Sequence, residues 1–172
     1  MQSSVKQLIE APISRLPAWV ALAAVVVSLL LQAYLPLFWS YANAADLPLL
    51  LLIYLALLRR SPIAGLLIGM GIGLAQDSLS HLPMGLYGII KTVIGYLCAS
   101  LTVVLAVDPL GARLVLVMGL YVTHQAIFWA MQRVLLDLAV PLLWQRTLLL
   151  AALHCLLALV IYRFLDRFRE RI

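Results

Sequence analysis

Few side chains of this sequence could do chemistry in an apolar environment, and two of them lie between residues 65 and 96. Asp77 ends one apolar run, and Lys91 lies inside the next. A charge within such a run is costly and usually has a partner or a function. We predict that Asp77 and Lys91 form an ion pair between neighbouring antiparallel helices. Alternatively, Lys91 extends its ammonium group outward to water.

Two histidines and a cysteine, His124, His154 and Cys155, also fall inside apolar runs, and together they could hold a metal ion. Their spacing does not favour this, because no two of them show the i, i+4 or Cys-x-x-Cys pattern of metal sites. Hydrogen bonding between packed helices is the more ordinary role of polar side chains in a membrane interior. We therefore predict no metal and no cofactor.

The sequence contains none of the Gly-x-Ser-x-Gly, His-Glu-x-x-His or phosphate-binding loop motifs of common catalytic sites. Asp77 and His81 share a predicted loop, but acid/base catalysis needs two groups in separate, tuned environments. An enzyme embedded in the membrane would need a second acid or base near Asp77, for which the sequence offers His81 and Lys91. We predict that the protein is not an enzyme and has no catalytic residues.

The elements that must position these residues are transmembrane helices. Hydrophobic residues make up 65% of the 172 residues and charged residues 11%, with a mean hydropathy of +1.08; soluble domains are about half apolar and about a quarter charged. A spanning helix needs about 20 mostly apolar residues. We predict an all-α polytopic membrane protein, one domain over residues 1–172, with a cytoplasmic segment at 1–18. The predicted spans are about 19–38, 45–58, 62–75, 85–107, 112–131 and 147–164.

The basic residues set the predicted orientation. With the N-terminus in the cytoplasm, the basic residues at the predicted inner side outnumber those at the outer side. The inner set is Lys6, Arg15, Arg59, Arg60, Arg113, Arg163, Arg167, Arg169 and Arg171, and the outer set is Arg133 and Arg146. Both termini are therefore predicted to be cytoplasmic. The net charge of +5 is assigned to this bias and to contact with the bilayer, and not to nucleic acid.

Small residues mark one face of the third predicted span. Gly65, Gly69 and Gly73 follow one another at intervals of four, and Gly69 to Gly73 forms a Gly-x-x-x-Gly motif. Such a face lets another helix approach closely, so that van der Waals packing can hold the pair. We favour packing within one bundle over a face for a partner chain.

The stretch AGLLIGMGIGLAQDSLSHLPMGLYGIIKTVIGYL resembles the core of the MreD family, the rod-shape-determining membrane proteins of bacteria. The family pattern is a Gly-rich helix ending in an acidic residue, a short loop, a Pro and Gly that open the next helix, and a Gly-Tyr pair. It falls here on Gly65, Gly69, Asp77, Pro83, Gly85, Gly95 and Tyr96. Lys91 is not part of the pattern.

This resemblance implies a non-catalytic scaffold of the cell-wall elongation machinery in the bacterial inner membrane, needed for rod shape and lateral peptidoglycan synthesis. MreC is the implied direct partner, with MreB, RodA and a penicillin-binding transpeptidase in the same complex. The fold would be similar to the six-helix substrate-binding subunits of energy-coupling-factor transporters. The candidate partner or packing residues are Gly65, Gly69, Gly73, Asp77, Gly85, Lys91, Gly95 and Tyr96.

Within that set, Gly69, Gly73, Asp77 and Gly85 are the predicted contacts to the membrane-spanning segment of MreC. The alternative function is a solute-binding subunit of a vitamin-type transporter. It predicts an outward-facing pocket beneath the loop of residues 76–84, with polar groups converging on it.

Overall fold

Six α-helices account for most of the computed structural model, which describes residues 14–38, 45–80, 83–105, 107, 109–135, 137, 141, 143–168 and 170–171. They are α1 (Ala18–Phe38), α2 (Leu47–Arg59), α3 (Pro62–Leu79), α4 (Leu86–Val104), α5 (Leu110–Leu135) and α6 (Trp144–Leu165). The all-helical fold class is thereby confirmed. The predictions for residues 1–13, the loop 39–44 and His81 lie outside the described residues.

Five of the helices are long and apolar enough to cross a membrane, and α2 is shorter. Helix α2 has 13 residues, about 20 Å at ~1.5 Å per residue, against a hydrocarbon core of about 30 Å. Residues Leu49 to Ala56 are all buried, because α1, α3, α4 and α6 pack around them. The helix therefore forms the centre of the bundle.

Because α2 is short, only one of its two ends reaches an end of the bundle. Its last residue, Arg59, is separated from the first residue of α3, Pro62, by a short turn with Arg60 in the left-handed conformation, φ 47°. This turn lies at the end of the bundle where α1 begins and α6 ends. The first turn of α2 cannot reach the opposite end, and Asp46 therefore starts the helix inside the bundle.

The closest helix contact is between α3 and α4. A Cβ added at Gly65 would overlap the Gly95 carbonyl oxygen, one at Gly69 that of Lys91, and one at Gly73 that of Tyr87. The three glycines let the two backbones touch. This face is used within the bundle, so Gly69 and Gly73 are not exposed to a partner helix.

Side chains also join α2 and α5 to the turn that follows α6. Tyr54 Oη donates to the Asp166 carboxylate at 2.8 Å, and Arg113 Nη1 donates to the same carboxylate at 3.3 Å. Asp166 begins a short 3₁₀ turn after α6. Beside it, β1 (Ser14–Arg15) pairs antiparallel with β2 (Glu170–Arg171). The central helix and the chain ends are thereby joined at one side of the bundle.

A substitution of Gly73 by Leu should destabilise the protein by about 1–3 kcal/mol or more, because the side chain must enter the space of the α4 backbone. Gly71→Leu is the matched control, since an added Cβ there meets nothing within 4 Å. Chemical unfolding in detergent micelles measures both. Equal stability of the two variants would contradict the packing described for α3 and α4.

Candidate functional site

Polar side chains from five helical segments meet where α2 begins. We call Gln32, Asp46, Lys91, His124 and His154 the polar cluster. Gln32 lies on α1, Asp46 precedes α2, Lys91 lies on α4, His124 on α5 and His154 on α6. Since only α3 contributes none of these residues, the cluster is the point at which most of the bundle is joined through polar bonds.

Asp46 and Lys91 form the ion pair of the cluster. Lys91 Nζ lies 2.7 Å from Asp46 Oδ1, and the Lys91 side chain is fully buried. The same Asp46 oxygen accepts the backbone N–H of Leu49 at 3.0 Å and so caps α2. The Lys91 ammonium is also 5.7 Å from the centre of the Tyr87 ring, on its face, within the range of a cation–π contact.

The cluster satisfies the whole first turn of α2. The Asp46 N–H donates to His154 Nε2 at 2.9 Å, and the Leu47 N–H donates to Gln32 Oε1 at 3.2 Å. Pro48 has no N–H, and the N–H of Leu49 is bound by Asp46. The first N–H groups of a helix have no partner within the helix. In α2 each of these N–H groups is bound by a side chain, except at Pro48, which has no N–H.

The hydrogen bonds of His154 define its tautomer. Nε2 accepts the Asp46 N–H, so the proton of the neutral ring is on Nδ1. Nδ1 lies 2.7 Å from the Leu150 carbonyl and donates to it. The ring stacks on Tyr121 with 4.0 Å between centroids. His154 is thus a structural acceptor for a helix end.

His124 is held less tightly than His154. Its Nε2 is 3.6 Å from Asp46 Oδ2, beyond hydrogen-bond distance. Neither ring nitrogen meets a described residue in good hydrogen-bond geometry, although the ring is buried and the Gln125 side chain is a polar neighbour. It lies parallel to the rings of Tyr87 and Phe128, with centroids 6.4 and 6.3 Å away.

The predicted pair between Asp77 and Lys91 is wrong. The Asp77 carboxylate accepts three backbone N–H groups at the start of α4: those of Gly85 at 3.0 Å, Tyr87 at 2.9 Å and Gly88 at 2.8 Å. Lys91 is bound to Asp46 instead, so it does not extend alone to water either. A carboxylate at a helix N-terminus also interacts favourably with the helix dipole. Asp77 therefore holds the end of α3 to the start of α4.

The remaining candidates divide between the interior and the surface. Gly65 and Gly95 lie against each other in the contact between α3 and α4, and Gly85 precedes α4 with a φ of 96°. Tyr96 is 47% exposed on the outside of α4.

The metal alternative joined His124, His154 and Cys155, but Cys155 Sγ contacts the Leu114 carbonyl instead. The described part of the chain contains no group of three His, Cys, Asp or Glu side chains placed to bind a metal.

Sequence reasoning missed Asp46 as the partner of Lys91. A signal was available, because an acidic residue followed by Leu47 and Pro48 at the start of an apolar run is typical of a helix N-terminus. What the pattern could not reveal is the depth of that start. It depends on the shortness of α2, and predicted helix ends carry errors of a few residues.

A cavity of about 680 Å³ opens above the polar cluster, on the side away from the chain termini. Residues of α1, α3, α4, α5 and α6 line it, together with Asp46, Ser80, Pro141 and Leu143 outside the helices. They are Leu29, Gln32, Ala33, Pro36, Leu37, Asp46, Gln76, Leu79, Ser80, Tyr87, Tyr121, His124, Gln125, Phe128, Trp129, Gln132, Pro141, Leu143, Arg146, Thr147 and Leu150.

A model of one protein family matches nearly the whole chain. Residues 14–168 match rod shape-determining protein MreD. The chain belongs to the MreD family. It is therefore a cell-shape membrane protein, and the family and the apolar helices together indicate a multi-pass protein of the inner membrane. MreD proteins are non-enzymatic and belong to the shape-determining complex.

No curated protein and no solved structure matches this MreD chain. The expected similarity to substrate-binding subunits of energy-coupling-factor transporters is therefore not supported. The transporter alternative likewise has no support. The family match accordingly carries the conclusion about function.

Two double-mutant cycles should identify the partner of Lys91. Lys91→Met leaves the Asp46 carboxylate, whose side chain is 14% exposed, without its cation and should cost about 3–5 kcal/mol. Adding Asp46→Asn, which keeps an oxygen for the cap, should recover much of that loss. The control double variant, Asp77→Asn with Lys91→Met, should show nearly additive losses. Unfolding in micelles measures all five variants, and stronger coupling to Asp77 than to Asp46 would contradict the pair.

The cap at α4 predicts a second effect. Asp77→Ala should destabilise the protein by about 1–3 kcal/mol for each backbone N–H left unpaired, whereas Asp77→Asn should lose less. Asp137→Asn is the control, because Asp137 is exposed and its φ of 50° suits Asn. Hydrogen exchange at Tyr87 and Gly88 should accelerate only in the Asp77 variants. Unchanged exchange there would count against the cap.

Proposed function

We propose that this MreD protein is a non-catalytic scaffold of the cell-wall elongation machinery, required for rod shape and for lateral peptidoglycan synthesis. Its direct partner is MreC, and MreB, RodA and a penicillin-binding transpeptidase belong to the same complex. The observation that carries the proposal is the family match over residues 14–168.

The bonds made by the carboxylates of Asp46 and Asp77 support a scaffold role. Asp77 is taken up by three backbone N–H groups and Asp46 by Lys91 and the start of α2. Carboxylates held in this way stabilise a helix arrangement and are poorly placed to exchange protons with a substrate. A rigid bundle with shaped outer faces suits the docking of other membrane helices.

The Gly face of α3 is occupied by α4, so we infer that the contact with MreC lies elsewhere. We place it in the groove between α4 and α5, in the half of the bundle nearer the chain termini. The groove has a volume of about 560 Å³ and is apolar except for Thr123. Its lining is Leu97, Leu101, Leu105, Val107, Ala112, Val115, Leu116, Gly119, Leu120 and Thr123.

The groove offers the open, apolar surface that a membrane-spanning helix of MreC requires. Gly119 lies on the groove, and an added Cβ there meets nothing within 4 Å. A small residue on an open apolar face lets a second helix approach closely. Lipid chains also cover apolar surface, but a bulky residue at one position would not displace them selectively.

The charge distribution supports cytoplasmic termini. Arg59, Arg60, Arg113, Arg163 and Arg167 lie at the end of the bundle that carries the chain termini, whereas Arg133 and Arg146 lie at the other end. Basic residues are enriched in cytoplasmic segments. The groove proposed for MreC would therefore lie in the cytoplasmic half of the membrane.

Expression of this protein should restore rods in a rod-shaped bacterium depleted of its own MreD, and MreC should co-purify with it. Gly119→Leu should fill the groove, reduce co-purified MreC at least fivefold and leave the cells round. Gly71→Leu, which adds the same side chain to an exposed position outside the groove, should behave as the unmodified protein. Both variants must accumulate to normal abundance in the membrane fraction.

Failure of the unmodified protein to restore rods or retain MreC would overturn the scaffold proposal. Normal rods and normal MreC recovery with Gly119→Leu would overturn only the groove as the contact. The two outcomes are therefore distinguishable within one set of strains.

A further inference from the structure

Two buried polar side chains on the floor of the cavity lack hydrogen-bond partners among the described residues. They are Gln76, through Oε1, and His124, through both ring nitrogens. Their exposed fractions are 6% and 3%. A buried polar atom without a partner is destabilising, and such atoms in native structures call for an explanation. Both side chains line the same cavity.

These atoms specify the hydrogen bonds that an occupant must make. Gln76 Oε1 is an acceptor and needs a donor. A neutral His124 ring presents one donor and one acceptor. The His124 Nε2 also faces Asp46 Oδ2 at 3.6 Å. A molecule with an N–H or O–H group and a carbonyl-type oxygen can therefore meet both side chains, whichever ring nitrogen of His124 carries the proton.

The walls of the cavity favour a flat molecule. Tyr87 and Phe128 stack with 5.5 Å between centroids and 18° between planes. His124 and Phe128 are within 9° of parallel. Aromatic pairs gain energy from offset stacking, so a planar ring can extend this stack while its polar edge meets Gln76 and His124. The volume of about 680 Å³ lies within the usual range for small-molecule sites, about 300–1,000 Å³.

A phospholipid is a poorer match. From His124 to the end of α5 at Leu135 the helix runs about 16 Å at ~1.5 Å per residue, so the unpaired ring nitrogens lie deep in the bundle. A phospholipid keeps its polar headgroup at the membrane surface and sends apolar chains inward. Its chains would meet the unpaired polar atoms, and their hydrogen bonds would remain unmade.

We propose that the cavity is a binding site for a small planar molecule with an amide-like N–H and C=O edge. The polar edge meets Gln76 and His124, and the ring stacks against Tyr87 and Phe128. Arg146 is exposed on the rim and favours a negatively charged group on the outward end of the molecule. This site goes beyond the scaffold role and is separate from the groove proposed for MreC, which lies in the other half of the bundle.

The test uses 2-quinolone as the probe and naphthalene as its control, because the two have similar flat shapes and only 2-quinolone has the N–H and C=O edge. The full chain is placed in lipid nanodiscs, and binding of the labelled probes is measured with protein-free nanodiscs subtracted. We expect one saturable 2-quinolone site per chain and no saturable naphthalene site. Probe partitioning into lipid is removed by the subtraction and does not saturate.

Substitutions on the floor of the cavity should weaken this binding. His124→Phe keeps a ring and removes both nitrogens, and Gln76→Leu removes the acceptor. Each should raise the dissociation constant at least tenfold. Gly71→Leu, on the exposed face of α3 and outside both the cavity and the groove, is the control and should change nothing. Ala33→Trp narrows the cavity from the lightly packed α1 and should abolish binding even if a floor variant fails to fold.

The position of Arg146 on the rim leads to a separate prediction, which the same assay tests. A 2-quinolone with a carboxylate at ring position 4 should bind about threefold tighter than 2-quinolone, in keeping with an exposed charge pair. Arg146→Gln should remove that gain. An equal gain in Arg146→Gln would overturn the role assigned to the rim.

Three results would overturn the site itself. The first is 2-quinolone binding that does not exceed that of naphthalene. The second is binding that survives His124→Phe, Gln76→Leu and Ala33→Trp. The third is an experimental density map in which water alone, or another segment of this chain, bonds Gln76 and His124. Loss of rods or of MreC in the cell assay has no bearing on any of these measurements.

Discussion

A helix that begins inside a membrane bundle has no water to bind its first N–H groups, and this constraint explains the polar interior of the protein. Helix α2 is too short to span the bilayer, so its first turn is buried. The bonds of Asp46, His154 and Gln32 supply the partners for that turn. Lys91 then neutralises the carboxylate that α2 requires.

The need for these partners brings the surrounding helices into register. Gln32, Lys91 and His154 lie on α1, α4 and α6, far apart in sequence. Each can reach the start of α2 only if its helix has the right depth and rotation. Apolar packing alone is tolerant of small shifts. Loss of one partner from a buried ion pair, in contrast, strongly destabilises the folded protein. The polar cluster thus gives the bundle a single arrangement.

Much of the fold was predictable because the relevant signals are local. Runs of apolar residues indicate membrane helices, and Ser61 followed by Pro62 indicates the start of α3, where Ser61 Oγ accepts the Ala64 N–H at 3.4 Å. The spacing of Gly65, Gly69 and Gly73 predicted a packed face. All these features can be recognised within one helix and its cap.

The polar partnerships were not predictable in the same way, since they depend on the depth of helix ends. Both Asp46 and Asp77 were available to Lys91. The expectation that Asp77 lies at the same depth on the neighbouring antiparallel helix favoured the wrong one. Asp77 proved to be bound by the N–H groups of Gly85, Tyr87 and Gly88, an arrangement with no side-chain pattern to reveal it. The cavity above His124 likewise arises from five helices at once.

The contact between α3 and α4 has a consequence for how the protein is made. The glycines and Asp77, which join the two helices directly, lie between residues 62 and 104. The hairpin can therefore assemble as soon as its two helices leave the ribosome and enter the bilayer. Helix α2 is synthesised earlier but must wait for His154 and Asp166, which follow it by more than 90 residues. The centre of the bundle is thus completed only after α6 has been made.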